Sequence, residues 1–350
     1  MSPVSRNRRR QRGFGLVEMM IAMVLGLLLV AAAIQVFLST RASYRYNQAL
    51  AEVQDGARFA MHVLTHDLRL AGYTGCPAPQ SDAPSVASRS PFGDVRVISN
   101  SAAATGVTAA NLLADSLTAP DDELPASADG DSDAIRLAYM RDYGVRVTGP
   151  AASLNANLKV TGNPAGWEAG DTLLVTDCRQ ADLFDATSVS KSTGGPWINI
   201  AHANSANSSN KLSKIYDEGA RVLQPYAVVY YVDGDDGGLL RRRYFAETAK
   251  RPPTDEMVSD LTHLTVRYGV DADGDQMPDA YETEDTVDTG AAWDDVVSVR
   301  IGFVVGSETR VGDAGGQGGL TMFGDEITVP DDGRLRQVFT TTVALRNRVP

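Results

Sequence analysis

The sequence predicts an α+β protein: a long N-terminal membrane-embedded α-helix whose outer half packs on a mainly antiparallel β globular domain. Three observations predict it. Residues 19–38 form a nearly unbroken apolar run in which Gln35 is the single polar side chain. No proline lies between Pro3 and Pro77, so one helix can continue through and beyond that run. Past Pro77, short β-branched or aromatic stretches alternate with Gly, Asp and Pro, the punctuation of strands and turns.

Each element follows in chain order. Five arginines (Arg6, Arg8, Arg9, Arg10, Arg12) and no acid occupy the first twelve residues. The chain carries a net charge of −12, and without those twelve residues 27 basic groups stand against 44 acidic ones, or −17. A basic end and an acidic body orient a membrane protein with the basic end cytoplasmic. The acidic body also repels nucleic acid, so that class of partner is set aside. Twenty helical residues rise about 30 Å, the depth of a bilayer core. A cleaved secretory signal has a shorter apolar region and a small-residue cleavage site behind it. Here the run passes directly into Phe37-Leu38-Ser39-Thr40-Arg41, so the segment is retained.

One helix is expected from residue 14 to residue 70, with 14–38 transmembrane and 39–72 amphipathic. In the outer half, Leu50, Val53, Ala57, Met61, Leu64 and Leu68 recur at spacings of three and four, an apolar stripe that needs a folded surface to lie on. Gly72, Gly75 and Pro77 end it. His62 and His66 lie four apart and can share a metal, but no third ligand is near them in sequence, and a solvated face is the simpler reading. Residues 73–350 form the globular domain, with strands expected at 134–140, 172–176, 227–232, 264–270, 296–305 and 337–345. Residues 78–134 show weak periodicity, and the Ser/Asn/Gly-rich stretch 188–213 reads as a mobile surface loop. The acidic stretch in 230–239 reads as hairpin turn chemistry. With the body exported, the two cysteines, Cys76 and Cys178, are expected to form one disulfide.

Residues 271–282 (DADGDQMPDAYE) place oxygens at positions 1, 3, 5, 9 and 12 of a twelve-residue loop, through Asp271, Asp273, Asp275, Asp279 and Glu282. Met277, at position 7, offers its main-chain carbonyl. A hard cation such as calcium wants six to eight oxygens in this kind of array. Residues 271–288 hold eight acids and no base, a repulsion that a divalent ion relieves. Gln276 stands at position 6, where glycine usually makes the sharp turn.

Glu18 is an ionisable group at the mouth of a membrane helix and needs a partner. Its surroundings supply one. Gly13-Phe14-Gly15-Leu16-Val17-Glu18 resembles the processing site of type IV prepilins and type II secretion pseudopilins. The resemblance implies that the basic leader, residues 1–13, is cut after Gly13 by a prepilin peptidase, and that the new N-terminus at Phe14 is methylated. Glu18, now fifth, would neutralise that ammonium inside a filament, where neither charge is stable alone. Gly15 departs modestly from the family, which often has threonine or serine there.

Further stretches resemble the PilW-type minor pilins: Leu64-Thr65-His66-Asp67-Leu68-Arg69-Leu70-Ala71-Gly72-Tyr73 running into Cys76, Gly170-Asp171-Thr172-Leu173-Leu174-Val175-Thr176-Asp177-Cys178, and Phe339-Thr340-Thr341-Thr342-Val343-Ala344-Leu345-Arg346-Asn347. They imply a low-abundance subunit that primes type IV pilus assembly at or near the filament tip. Its partners would be other minor pilins, the major pilin, a tip adhesin and the inner-membrane assembly platform. The implied location is the inner membrane, single-pass with the globular domain in the periplasm, and then the filament. A type II secretion minor pseudopilin and a calcium-dependent adhesive pilus subunit are the alternatives. No G-x-S-x-G, H-E-x-x-H or P-loop is present, and no carboxylate pair is singled out among the 44 acids, so no enzyme is expected.

Overall fold

The computed structural model describes residues 15–73, 75–76, 94–97, 124, 127–235, 238–243, 254–290, 292–312 and 319–347. Helix α1, Leu16–Leu70, runs 55 residues without a break, about 82 Å at 1.5 Å per residue. Its C-terminus closes when the Ala71 amide donates to the carbonyls of Asp67 and Leu68. Gly72 then turns the chain at φ 73°, a left-handed conformation that glycine adopts without steric penalty.

The buried face of α1 is Ala49, Val53, Ala57, Ala60, Leu64, Asp67 and Leu68. It is rotated slightly from the expected stripe: Leu50 and Met61 are only half-buried, and Ala49 and Ala60 take their places. The reason is distance. Small residues let the helix backbone come close to the sheet, and a Cβ added at Gly56 would already meet Val258 and Val305 at 3.4 Å.

Strands β1 (Asp94–Val97), β2 (Ile135–Arg141), β3 (Leu158–Val160), β4 (Thr172–Thr176), β5 (Gln180–Asp185), β6 (Ser188–Lys191), β7 (Ile198–Ala201), β8 (Arg221–Val232), β9 (Gly238–Arg243) and β10 (Thr254–Ser259) build the N-terminal part of the body. Then follow β11 (Leu261–Val270), β12 (Ala280–Glu282), α2 (Glu284–Thr289), a 3₁₀ turn (Trp293–Asp295), β13 (Val296–Arg310), β14 (Leu320–Met322), β15 (Asp325–Ile327) and β16 (Arg334–Ala344). One sheet has the order β1-β5-β4-β8-β9-β10, with β2 on the other edge of β8; a second has β12-β11-β13-β16. Every pairing is antiparallel except β1 with β5, so the expected α+β, mainly antiparallel architecture holds.

The longest strands are β8, of 12 residues, and β13, of 15, and both are buried along most of their length. Pro225 sits inside β8 without breaking it. Met140 of β2 lies opposite it but gives its amide to the Tyr73 carbonyl, and on the other edge β9 pairs only 228–232, so the missing amide falls where no ladder bond needs it. The main core lies between α1 and both sheets; Leu64, Leu68, Tyr139, Tyr230, Tyr268 and Phe303 are its largest members. A second core, around Trp167, Phe184, Ile200 and Tyr216, belongs to a lobe formed by β3, β6, β7 and the ends of β4 and β5.

That lobe corrects the expectation of a mobile loop at 188–213. The stretch holds β6 and β7, and His202, Asn207 and Leu212 are buried. Ser/Asn-rich composition misled because Asn207 works as a fastener: its amide donates to the Asp185 carbonyl at 2.8 Å and its carbonyl accepts the Asp185 amide at 2.8 Å.

Candidate functional site

Among the described residues, the first half of α1 lies exposed, packed against no other element. Leu16 through Leu38 present exposed apolar side chains, and the most apolar 18-residue window, with mean hydropathy 2.7, is wholly unburied. A helix this long and apolar is suited to a bilayer or to the company of other helices, because leaving so much apolar surface in water is unfavourable. Glu18 is exposed in the first turn of α1, at the positive end of the helix dipole. Gly13 and Phe14 lie outside the described residues.

The second half of α1 is fastened to the body at three levels. Near the middle, Glu52 accepts from the Thr309 amide at 3.0 Å and the Thr309 hydroxyl at 2.8 Å. Burial opposes the charge, but the Thr309 donors, joined by the Gln48 amide and the Glu308 backbone, together outweigh it and hold the Glu52 carboxyl below its ordinary value. Further along, the buried Asp67 carboxylate accepts from the hydroxyls of Tyr139 at 3.1 Å and Tyr230 at 2.6 Å. Burial and then the Asp67 charge push both phenols well above their usual range, so they remain donors at every physiological pH. At the helix end, Cys76 and Cys178 form the expected disulfide, with Cα atoms 5.5 Å apart and a sequence separation of 102. It joins the segment after α1 to the turn between β4 and β5. There Arg221 donates to the Gly75 carbonyl and Lys214 pairs with Asp177.

Asp67 escaped the reading of the sequence, although its signal was present: a charged residue three after Leu64 and next to Leu68 on an apolar stripe. A buried charge at such a place demands partners, and two tyrosines on separate strands provide them.

The acidic loop connects β11 to β12 and is pinned at both ends, with the Asp271 amide donating to Asp295 and the Asp279 amide to Val270. Asp271 is buried; one carboxylate oxygen accepts from the amides of Gly274 at 2.8 Å and Asp275 at 3.2 Å, the other from Gln276 at 2.8 Å. Asp275 accepts from the Met277 amide at 2.8 Å and Asp279 from the Ala272 amide at 2.8 Å. Gln276 takes φ 71°, so the sixth position makes the left-handed turn despite its side chain. Oxygens of Asp271, Asp273 and Asp275 lie within 4.8 Å of one another and can hold a metal ion. All are hard carboxylate donors, which fit an alkaline-earth ion better than a soft one. Asp279 and Glu282 are not gathered with those three, and the Met277 side chain points to solvent.

A prokaryotic N-terminal methylation motif matches residues 8–34, and a Type IV Pilus-assembly protein W domain matches residues 229–347. The first spans Gly13, Phe14 and Glu18; the second spans the C-terminal third of β8 through β16. A pilin-like protein, PilA3, of Thermus thermophilus is 42% identical over 62 residues, covering 18% of this chain and 27% of that protein. The chain thus spans about a quarter of the curated relative it matches. A type IV-like pilin structure from Thermus thermophilus aligns over 85% of this chain and 98% of its own at 10% identity, with a TM-score of 0.33, too low to argue from. With a methylation motif at the head of an exposed apolar helix and a pilus-assembly domain match behind it, the chain is similar to type IV pilin-like proteins at both of its ends.

Proposed function

We propose that the chain is a minor pilin that primes type IV pilus assembly and sits at or near the filament tip. The observation that carries this reading is the division of α1: an apolar half with no partner among the described residues, and a half fastened to a folded body. Such a subunit is complete only when other helices surround it. In this reading a prepilin peptidase cuts after Gly13, Phe14 is methylated, and Glu18 pairs with the Phe14 ammonium or with that of a neighbour. The body faces the periplasm while the helix waits in the inner membrane. Other minor pilins, the major pilin, the assembly platform and a tip adhesin are the partners. The role is structural, and a type II secretion pseudopilin is the competing assignment.

The test is intact-mass analysis of filaments sheared from cells. The chain should be present in amounts far below the major pilin, beginning with N-methylated Phe14. Its absence from sheared filaments, with an unprocessed leader in the membrane, would overturn the reading.

A second proposal concerns the loop: Asp271, Asp273 and Asp275 bind calcium, with Asp279, Glu282 and the Met277 carbonyl closing in when the ion arrives. What favours it is the left-handed Gln276, which already sets the turn such a loop requires. Calcium would serve the body's rigidity and, in an adhesive subunit, its surface display.

A further inference from the structure

Opposite its buried stripe, α1 shows solvent a face on which Asp55, Arg58, Phe59, His62, His66 and Arg69 are exposed. His62 and His66 are one turn apart on that face, which sets their side chains side by side, about 6 Å apart at Cβ. The structure adds what the sequence lacked. His66 Nδ1 lies 3.0 Å from an oxygen of Asp67, whose side chain is 6% exposed while that of His66 is 61% exposed. A carboxylate only accepts, so His66 must present Nδ1–H to it. In the neutral ring that leaves the lone pair on Nε2, on a side chain that is mostly exposed. Metal-binding histidines are commonly held this way, with a carboxylate behind the ring that also raises the basicity of the free nitrogen.

The other two histidines are differently placed. His202 is buried, with Nε2 3.1 Å from the Ala156 carbonyl. His263 has hydroxyls at both nitrogens, Ser132 at 3.4 Å and Thr265 at 3.2 Å. The nearest cation before the pair, Arg58, is engaged with Asp55 at 4.0 Å.

We propose that His62 and His66 form a bis-imidazole site for a borderline transition-metal ion, zinc, copper(II) or nickel(II), with Asp67 as the positioning residue. Imidazole suits these ions, and it discriminates against the alkaline-earth ion favoured by the acidic loop. Two nitrogens from one helix fill adjacent coordination positions, and water takes the rest. The site lies outside the membrane segment and is independent of the pilus reading, so each stands or falls alone.

The test uses the full chain in detergent, titrated calorimetrically with nickel(II) alone. Calcium at about 1 mM, an extracellular level, keeps the acidic loop from competing. His62→Ala and His66→Ala lie on exposed surface and should each weaken nickel binding at least tenfold. Asp67→Asn should weaken it about tenfold, within the range for a carboxylate behind a ligand. In a His66→Ala background the same Asp67 change should cost nothing further, because its effect runs through that ring. Equal nickel affinity in the wild type and both single-histidine variants would overturn the site. An undiminished Asp67→Asn loss without His66 would overturn the positioning role.

Discussion

Asp67 shows how one residue decides an element's placement. It is the charged member of an otherwise apolar stripe, and it satisfies two tyrosines from β2 and β8 at once. Asp67→Ala leaves both phenols without their acceptor and should lower unfolding stability by about 3 kcal/mol, read from denaturant unfolding of the full chain in detergent. Tyr230→Phe, which leaves Asp67 one phenol, should lower it by about 1 kcal/mol. His202 acts at the same scale but through pH. Burial in the second lobe pushes its pKa below the ordinary 6.5, and its Nδ1 is buried without a partner. The folded state therefore resists the proton that the unfolded chain accepts. Stability is full above pH 6.5 and declines as the pH falls from there toward the lowered folded value. A pH series of melts should show that decline, and His202→Phe should flatten it; identical slopes in both proteins would discard the idea.

At the scale of elements, the sequence announced those whose pattern is repetitive. Helix α1 and the strands β2, β4, β8, β11, β13 and β16 all come from long apolar or β-branched runs, and all were legible. Short strands such as β6, β7, β14 and β15 were not, because three or four residues carry no period and their pairing depends on distant partners. The disulfide was legible once export was inferred, and reducing it should remove about 4–5 kcal/mol in the chain-entropy account of a loop near a hundred residues. The acidic loop was legible in its spacing but not in its geometry: three carboxylates converge and two stand apart. If calcium gathers them, the melting point of the full chain should rise with calcium and fall back in chelator. Asp271→Asn should abolish the difference, since that side chain holds three of the loop amides. A melting point indifferent to calcium would leave an acidic turn and nothing more.

The molecule as a whole is a body hung on a helix that cannot rest in water. Its apolar half has no partner among the described residues, and its other half is bound by Glu52, Asp67 and the disulfide, so force on the helix is delivered to the body at several points. That arrangement suits a subunit inserted among other helices. On the proposed function, Glu18→Val should leave cleavage after Gly13 intact while reducing incorporation into filaments, because the Phe14 ammonium would stay unpaired. The most direct test of the central claim is a count of surface pili by electron microscopy in cells lacking this chain. The account predicts few or none, with full recovery from the wild-type chain and poor recovery from Glu18→Val. Normal pilus numbers in the deletion strain would contradict it.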